Sequence, residues 1–316
     1  MNELMNLAPL EFADSAIAPS SQIDAILSLL DDPDPIVQGS IRARLLELGD
    51  LAAPALRRVS REGDEELARV NAESTLKEIG LRKFRAEMRD VIAACDEGED
   101  INLERGAFAV ALIGYPELRV GEYRQQLDTM AAVLESRLRG CDNGYMVVRE
   151  FNFYMFEQLG YQGCRQDKAS YFDPENSYVN RVMDRRTGIP IALSTVYLLV
   201  ARRLGLPFQG VGFPARYLVK YRSASEEFFI DPFKNGSVTN YSECRRLLRD
   251  LNVEFRPEYL EPVSDRKTVA RMMRNLVDIY SESDPVTAHS LQHTIADLVG
   301  DEDEERDDDN EGTEEE

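Results

Sequence analysis

From Gln22 to Gly80 the apolar residues recur at the spacing of one helix face, broken only at Asp31-Asp32-Pro33-Asp34-Pro35 and at Gly49. The pattern predicts short antiparallel helices. Asp34 followed by Pro35 suits a helix start, because the carboxylate accepts an orphan first-turn amide and proline has no amide to leave unpaired there. Gly49 stands where a glycine closes a helix. The same period predicts helices over about 82–95, 102–113, 121–139 and 146–159, the last ending at Gly160. Within the last of these, Phe151, Phe153, Tyr154 and Phe156 fall at helical spacing and read as core packing. Near the other end of the chain, Val269, Met272, Met273, Leu276, Val277 and Tyr280 form one apolar face, and a second helix is expected from Pro285, capped by Asp284. These two make a helical hairpin.

The period changes in the middle of the chain. Pro190 fixes φ for a first turn, and Gly205 and Pro207 supply an end and a stop, so a helix is predicted over 190–204. Three antiparallel strands follow, over 208–212, 216–221 and 226–231, the last two joined by Arg222-Ser223-Ala224-Ser225. If Tyr221 faces Glu226, then Lys220 faces Glu227, Leu218 faces Phe229 and Arg216 faces Asp231, which gives two opposite-charge pairs and one apolar pair on a face. The class is α+β.

The ordered motifs of this region are Arg185-Arg186-Thr187-Gly188-Ile189-Pro190-Ile191-Ala192-Leu193-Ser194, Gly205-Leu206-Pro207, Gly210-Val211-Gly212-Phe213-Pro214-Ala215-Arg216 and Ile230-Asp231-Pro232-Phe233. Their order resembles the SirB-type transglutaminase-like family over roughly residues 100 to 280. The resemblance implies a papain-like cysteine-proteinase-type core. In active enzymes of this type a cysteine sits in the first turn of the helix, a histidine on the next strand and an acid at the strand end. By that resemblance Pro190 holds the nucleophile position, Arg216 the base position and Asp231 the acid position. Proline carries no nucleophile, and a guanidinium stays charged and can only donate hydrogen bonds. The resemblance therefore implies a protein that has lost thiol catalysis and acts as a scaffold or regulator through protein binding. The alternative is a hydrolase or acyl-transfer enzyme on amide or ester bonds that uses another residue set in the same cleft. Its candidate nucleophiles are Ser194, one turn after Pro190, with Lys220 as a conceivable base, and Cys164 in the loop after Gly160. Residues 34–56 also resemble one HEAT-type helical unit, and the C-terminal hairpin resembles the opening pair of a tetratricopeptide-like array.

These readings divide the chain into a flexible segment 1–20, a helical cap with a HEAT-like start over 21–140, a transglutaminase-like core over 141–262, a tetratricopeptide-like hairpin over 263–300 and an acidic tail over 301–316. Of the formal net charge of −21, the tail holds −11, from twelve acids and one arginine. Such a segment cannot bury enough apolar area to offset its ordering entropy and is expected to be disordered, either as a solubilising tail or as a ligand for a basic partner. With no dense Lys/Arg cluster, nucleic acid is not an expected partner. No run is apolar and long enough to span a bilayer, and the stretch 1–21 carries acids and no basic n-region, so the expected location is the cytoplasm, away from membranes. The four cysteines, Cys95, Cys141, Cys164 and Cys244, lack a CxxC pair, and free thiols are expected. His289 and His293 share a helix face without a third ligand, so no metal is expected. No cofactor is expected either: Gly210-Val211-Gly212 is followed by Pro214 and a strand pattern, where a dinucleotide fingerprint needs a helix.

Overall fold

The structure, a computed structural model, describes residues 19–96 and 99–300. The acidic tail and the expected flexible N-terminus, apart from Pro19 and Ser20, lie outside the described residues. The chain divides into two compact units between Ile79 and Gly80. In the first, helices α1 (Pro19–Leu27), α2 (Pro35–Leu48) and α3 (Ala53–Glu62) and the first half of α4 (Glu66–Ala93) enclose Leu30, Ile41, Leu45, Leu56 and Leu76. The expected caps form: the Asp34 carboxylate accepts from Ile36 N at 2.8 Å, and Gly49 closes α2 with φ 48°. The Asn71 side chain and Gln38 both donate to Leu30 O, satisfying a carbonyl in the turn after α1.

The second unit begins inside α4, not at residue 140 as the sequence reading had it. Helices α5 (Leu103–Ala111) and α6 (Val120–Leu138) share one core with the central block, because nearly every residue of α5 is buried. α4 is one helix of 28 residues in place of the predicted 82–95, since no strong breaker interrupts it. Gly80 within it allows a close approach: a Cβ there would lie 2.3 Å from Ile113 O and 2.7 Å from Leu112 O.

α7 (Gly144–Asn152) passes into a π-helical turn, Phe153–Gln158. That turn alters which aromatics face inward: Phe151, Tyr154 and Phe156 are buried, whereas Phe153 is exposed. Two short strands, β1 (Gln162–Gly163) and β2 (Thr187–Gly188), pair in parallel around α8 (Lys168–Tyr171) and α9 (Val179–Arg185). α10 (Pro190–Arg203) follows at once. It packs against α6, α9, α12 and the second sheet, and every residue from Pro190 to Ala201 is buried.

The second sheet has four antiparallel strands in sequence order: β3 (Phe208–Val211), β4 (Leu218–Arg222), β5 (Glu227–Asp231) and β6 (Ser237–Thr239). The predicted register is wrong by two residues. Lys220 faces Phe229, Tyr221 faces Phe228 and Arg222 faces Glu227. Glu226 is a turn residue whose carbonyl accepts from Ser223 N at 2.9 Å and whose carboxylate accepts from Gly144 N, at the start of α7, at 2.6 Å. A two-residue displacement keeps each side chain on its face, so Lys220 still reaches Glu227 diagonally, at 3.4 Å. α11 (Tyr241–Asp250) covers one side of the sheet, and α12 (Asp265–Tyr280) with α13 (Pro285–Val299) forms the hairpin. Val269, Met272, Met273 and Leu276 join the main core, and the Tyr178 and Tyr280 hydroxyls meet at 2.8 Å. Among the described residues no helix is long and apolar enough to cross a membrane.

Candidate functional site

Ile189, extended at ψ 165°, leads into Pro190 at the first turn of α10, and its amide donates to Asn176 O at 3.0 Å. This anchors the helix start without a side-chain cap. The turn Pro232–Lys234, just past β5, packs against both α10 and β1. A Cβ on Gly163 would come within 2.7 Å of Phe233 O and 2.8 Å of the Phe233 ring, so the backbone of β1 lies close against both the backbone and the side chain of that turn. The three segments predicted to line the cleft therefore converge.

Asp231 is 3% exposed. One carboxylate oxygen accepts from Phe233 N and Lys234 N, at 3.1 and 3.3 Å, and the other accepts from Arg216 Nη1 at 3.2 Å. The expected ion pair is present, although Arg216 does not sit on a strand. Ala215 has φ 55°, which turns the chain, and β4 starts only at Leu218. The pair is thus diagonal, not directly cross-strand. Burial pushes the Asp231 carboxyl above its ordinary range, and the Arg216 charge opposes that rise. Both oxygens of this acid are therefore engaged, one by the two amides of the turn and the other by the Arg216 cation.

Ser194 is completely buried and donates to Tyr217 O at 3.1 Å. Lys220, its conceivable base, is also buried. Its ammonium donates to Leu260 O at 3.1 Å and lies 5.5 Å from the centre of the Phe229 ring. Cys164 is brought beside the start of α10, its amide donating to Gly188 O at 3.0 Å. The thiol is buried, and desolvation raises it to about 11, so almost none is thiolate at neutral pH. His289 and His293 lie elsewhere, on α13, where His293 Nδ1 is 3.2 Å from Asp297. Among the described residues no three His, Cys, Asp or Glu side chains are grouped to hold a metal ion.

Two features escaped the sequence reading. Cys244 on α11 is fully buried, raised to about 11 chiefly by desolvation, and close enough to Arg216 and Asp231 to feel both charges. No local signal announces it, because α11 reaches the pair only through tertiary packing. The second is Asn176-Ser177-Tyr178-Val179-Asn180, which abuts the α10 start. Asn176 Oδ1, Ser177 Oγ and Asn180 Oδ1 are buried without a hydrogen-bond partner. Paired Asn and Ser immediately before a buried helix were the available hint. Asn152 ties two of the segments together, accepting from the Tyr197 hydroxyl at 3.0 Å and donating to Gly236 O at 2.7 Å.

A buried helix started by proline lies beside a small antiparallel sheet, with an acid at a strand end packed near that start, in the part of the chain that carries a transglutaminase-like domain. The profile of the transglutaminase-like superfamily matches residues 121–274, from the first turn of α6 into α12. The chain belongs to the UPF0162 family. It is 32% identical over 199 residues to a UPF0162 protein of Xylella fastidiosa (strain Temecula1), an alignment covering 61% of this chain and 69% of the relative. A UPF0162 protein of Vibrio cholerae is 27% identical over 188 residues, 57% of this chain and 67% of its own. Human F-box only protein 21 is 31% identical over 141 residues, covering 42% of this chain and 22% of that protein. No solved structure matches the chain.

Proposed function

We propose that this chain is a non-catalytic, SirB-type transglutaminase-like protein that acts in the cytoplasm as a scaffold or regulator, by binding another protein. The Arg216–Asp231 pair carries this reading. Thiol catalysis needs a nucleophile, a base that can release and take up a proton near neutral pH, and an acid that orients the base. Here Pro190 stands at the nucleophile position, a permanent cation stands at the base position, and the acid is held by that cation and two amides. The hydrolase alternative requires a reachable nucleophile, and no observation favours it at Ser194 or Cys164. Candidate binding surfaces are the degenerate cleft, the HEAT-like first unit with exposed Ile36, Leu51 and Val70, and the tetratricopeptide-like hairpin. That F-box only protein 21 matches over only 22% of its length supports a module that works alongside other parts.

The test is to incubate the full chain with a glutamine-containing peptide and a labelled primary amine. Neither ammonia release nor amine incorporation above buffer is expected. Turnover that disappears in Cys164→Ser or Cys244→Ser would overturn the proposal. Restoring residues with Pro190→Cys and Arg216→His is not expected to restore activity, because oxyanion donors and cleft shape require placement of their own.

A further inference from the structure

Away from the cleft, the second half of α4 and the length of α13 enclose a groove of about 770 Å³. Its floor is apolar, with Met88, Ile92 and the largely exposed Val286, and its rim carries the cations Arg85 and Arg89, with one acid, Asp297, at the end nearest Gly300 and beside His293. Arg85 Nε donates to Ser290 Oγ at 3.0 Å and Arg89 Nε to Arg85 O at 3.2 Å. Among the described residues neither guanidinium meets a carboxylate. That is unusual on a chain whose other arginines often do, as in the Arg105–Glu87, Arg124–Glu104, Arg202–Asp265 and Arg185–Asp173 pairs.

We propose that the groove is the docking surface of the chain's own acidic segment, residues 301–316. Three observations single out this occupant. The segment leaves α13 at Gly300, three residues after Asp297, which lines the groove. It carries −11, while the rest of the chain carries −10, so most of the surface repels it and a basic rim beside its point of origin is a local exception. Its reach is ample: sixteen residues span up to about 55 Å when extended, whereas fifteen residues of α13 are about 22 Å long. Tethering keeps the acids at millimolar-scale local concentration, so contacts that are individually weak are continually remade. The segment has no apolar side chain to fill the floor. The contact is therefore electrostatic and salt-sensitive, and the segment screens the rim.

The test places a nitroxide on residue 313 of the full chain (Thr313→Cys, with Cys95→Ser and Cys141→Ser) and reads the methyl signal of Met88 by NMR. At about 0.01 M salt, where the screening length is about 30 Å, the Met88 signal should fall at least twofold relative to the reduced label. At about 1 M salt, with screening at about 3 Å, it should recover. Arg85→Glu with Arg89→Glu should restore the low-salt signal, as should the milder Arg85→Gln with Arg89→Gln if charge reversal perturbs folding. An undiminished Met88 signal at low salt, or broadening that survives both pairs of substitutions, would overturn the proposal. Mixing spin-labelled chains with separate methyl-labelled ones supplies a further arm. Broadening there would assign the groove to a second copy's tail and overturn docking within one chain.

Discussion

Asp231 shows how one residue type at one position decides between chemistry and structure. Its oxygens cap two amides and hold Arg216, whose side chain is 25% exposed against 5% for the acid. Asp231→Ala should cost about 2–4 kcal/mol in chemical denaturation, because a partly solvated guanidinium loses its partner and the Pro232–Lys234 turn loses its cap. Arg216→Leu combined with Asp231→Leu should cost less than Asp231→Ala, since no charge is left alone. Arg216→Ala makes a pH prediction. Asp231 has its carboxyl raised on folding, so the native state takes up its proton first and this group's contribution to stability declines as pH rises through that window. The cost of Arg216→Ala should therefore be largest near neutral pH and shrink as acid protonates Asp231, when no counter-charge is needed. A cost independent of pH would mean that Arg216 matters only by packing.

At the scale of elements, what could be read from the sequence was what local chemistry determines. Asp34-Pro35 and Gly49 bound α2, Pro190 and Gly205 bound α10, and Asp284-Pro285 open α13, each because a cap or a missing amide acts within one turn. The register of β4 on β5 was misread because Glu226 serves a helix start 82 residues away, a contact that no hairpin rule contains. β1, β2 and β6 were missed because two or three residues carry no period. The boundary drawn at 140 failed for a related reason: amphipathic helices look alike whichever core they face. Gly80 tests whether long-range approach overrides propensity. In an open helix, Gly→Ala stabilises by up to about 1 kcal/mol. Against the Ile113 and Leu112 carbonyls, Gly80→Ala should instead lower stability, by about 1–3 kcal/mol, in a urea titration.

Across the whole molecule, the four cysteines report on burial without any label design. Cys95 and Cys141 are half-buried, whereas Cys164 and Cys244 are buried with thiols raised to about 11. Titration with a thiol reagent at pH 8 should modify Cys95 and Cys141 in the native state and the other two only after denaturant is added. Rapid native modification of Cys164 would reopen the catalytic question at the cleft. The candidate site was legible in the sequence as far as the pairing of Arg216 with Asp231. Its closure by Asn152, Cys244 and the Asn176–Asn180 segment was not, since these arrive from elements distant in sequence. The burial of α10 on every side has a kinetic consequence. With α6, α9, α12 and a sheet around it, no local fluctuation exposes the backbone of its buried stretch, so those amide protons can trade with deuterated solvent only when the second unit opens as a whole. The slowest deuterium uptake in the chain should fall within 194–201, and its rate would measure the global opening free energy of that unit directly.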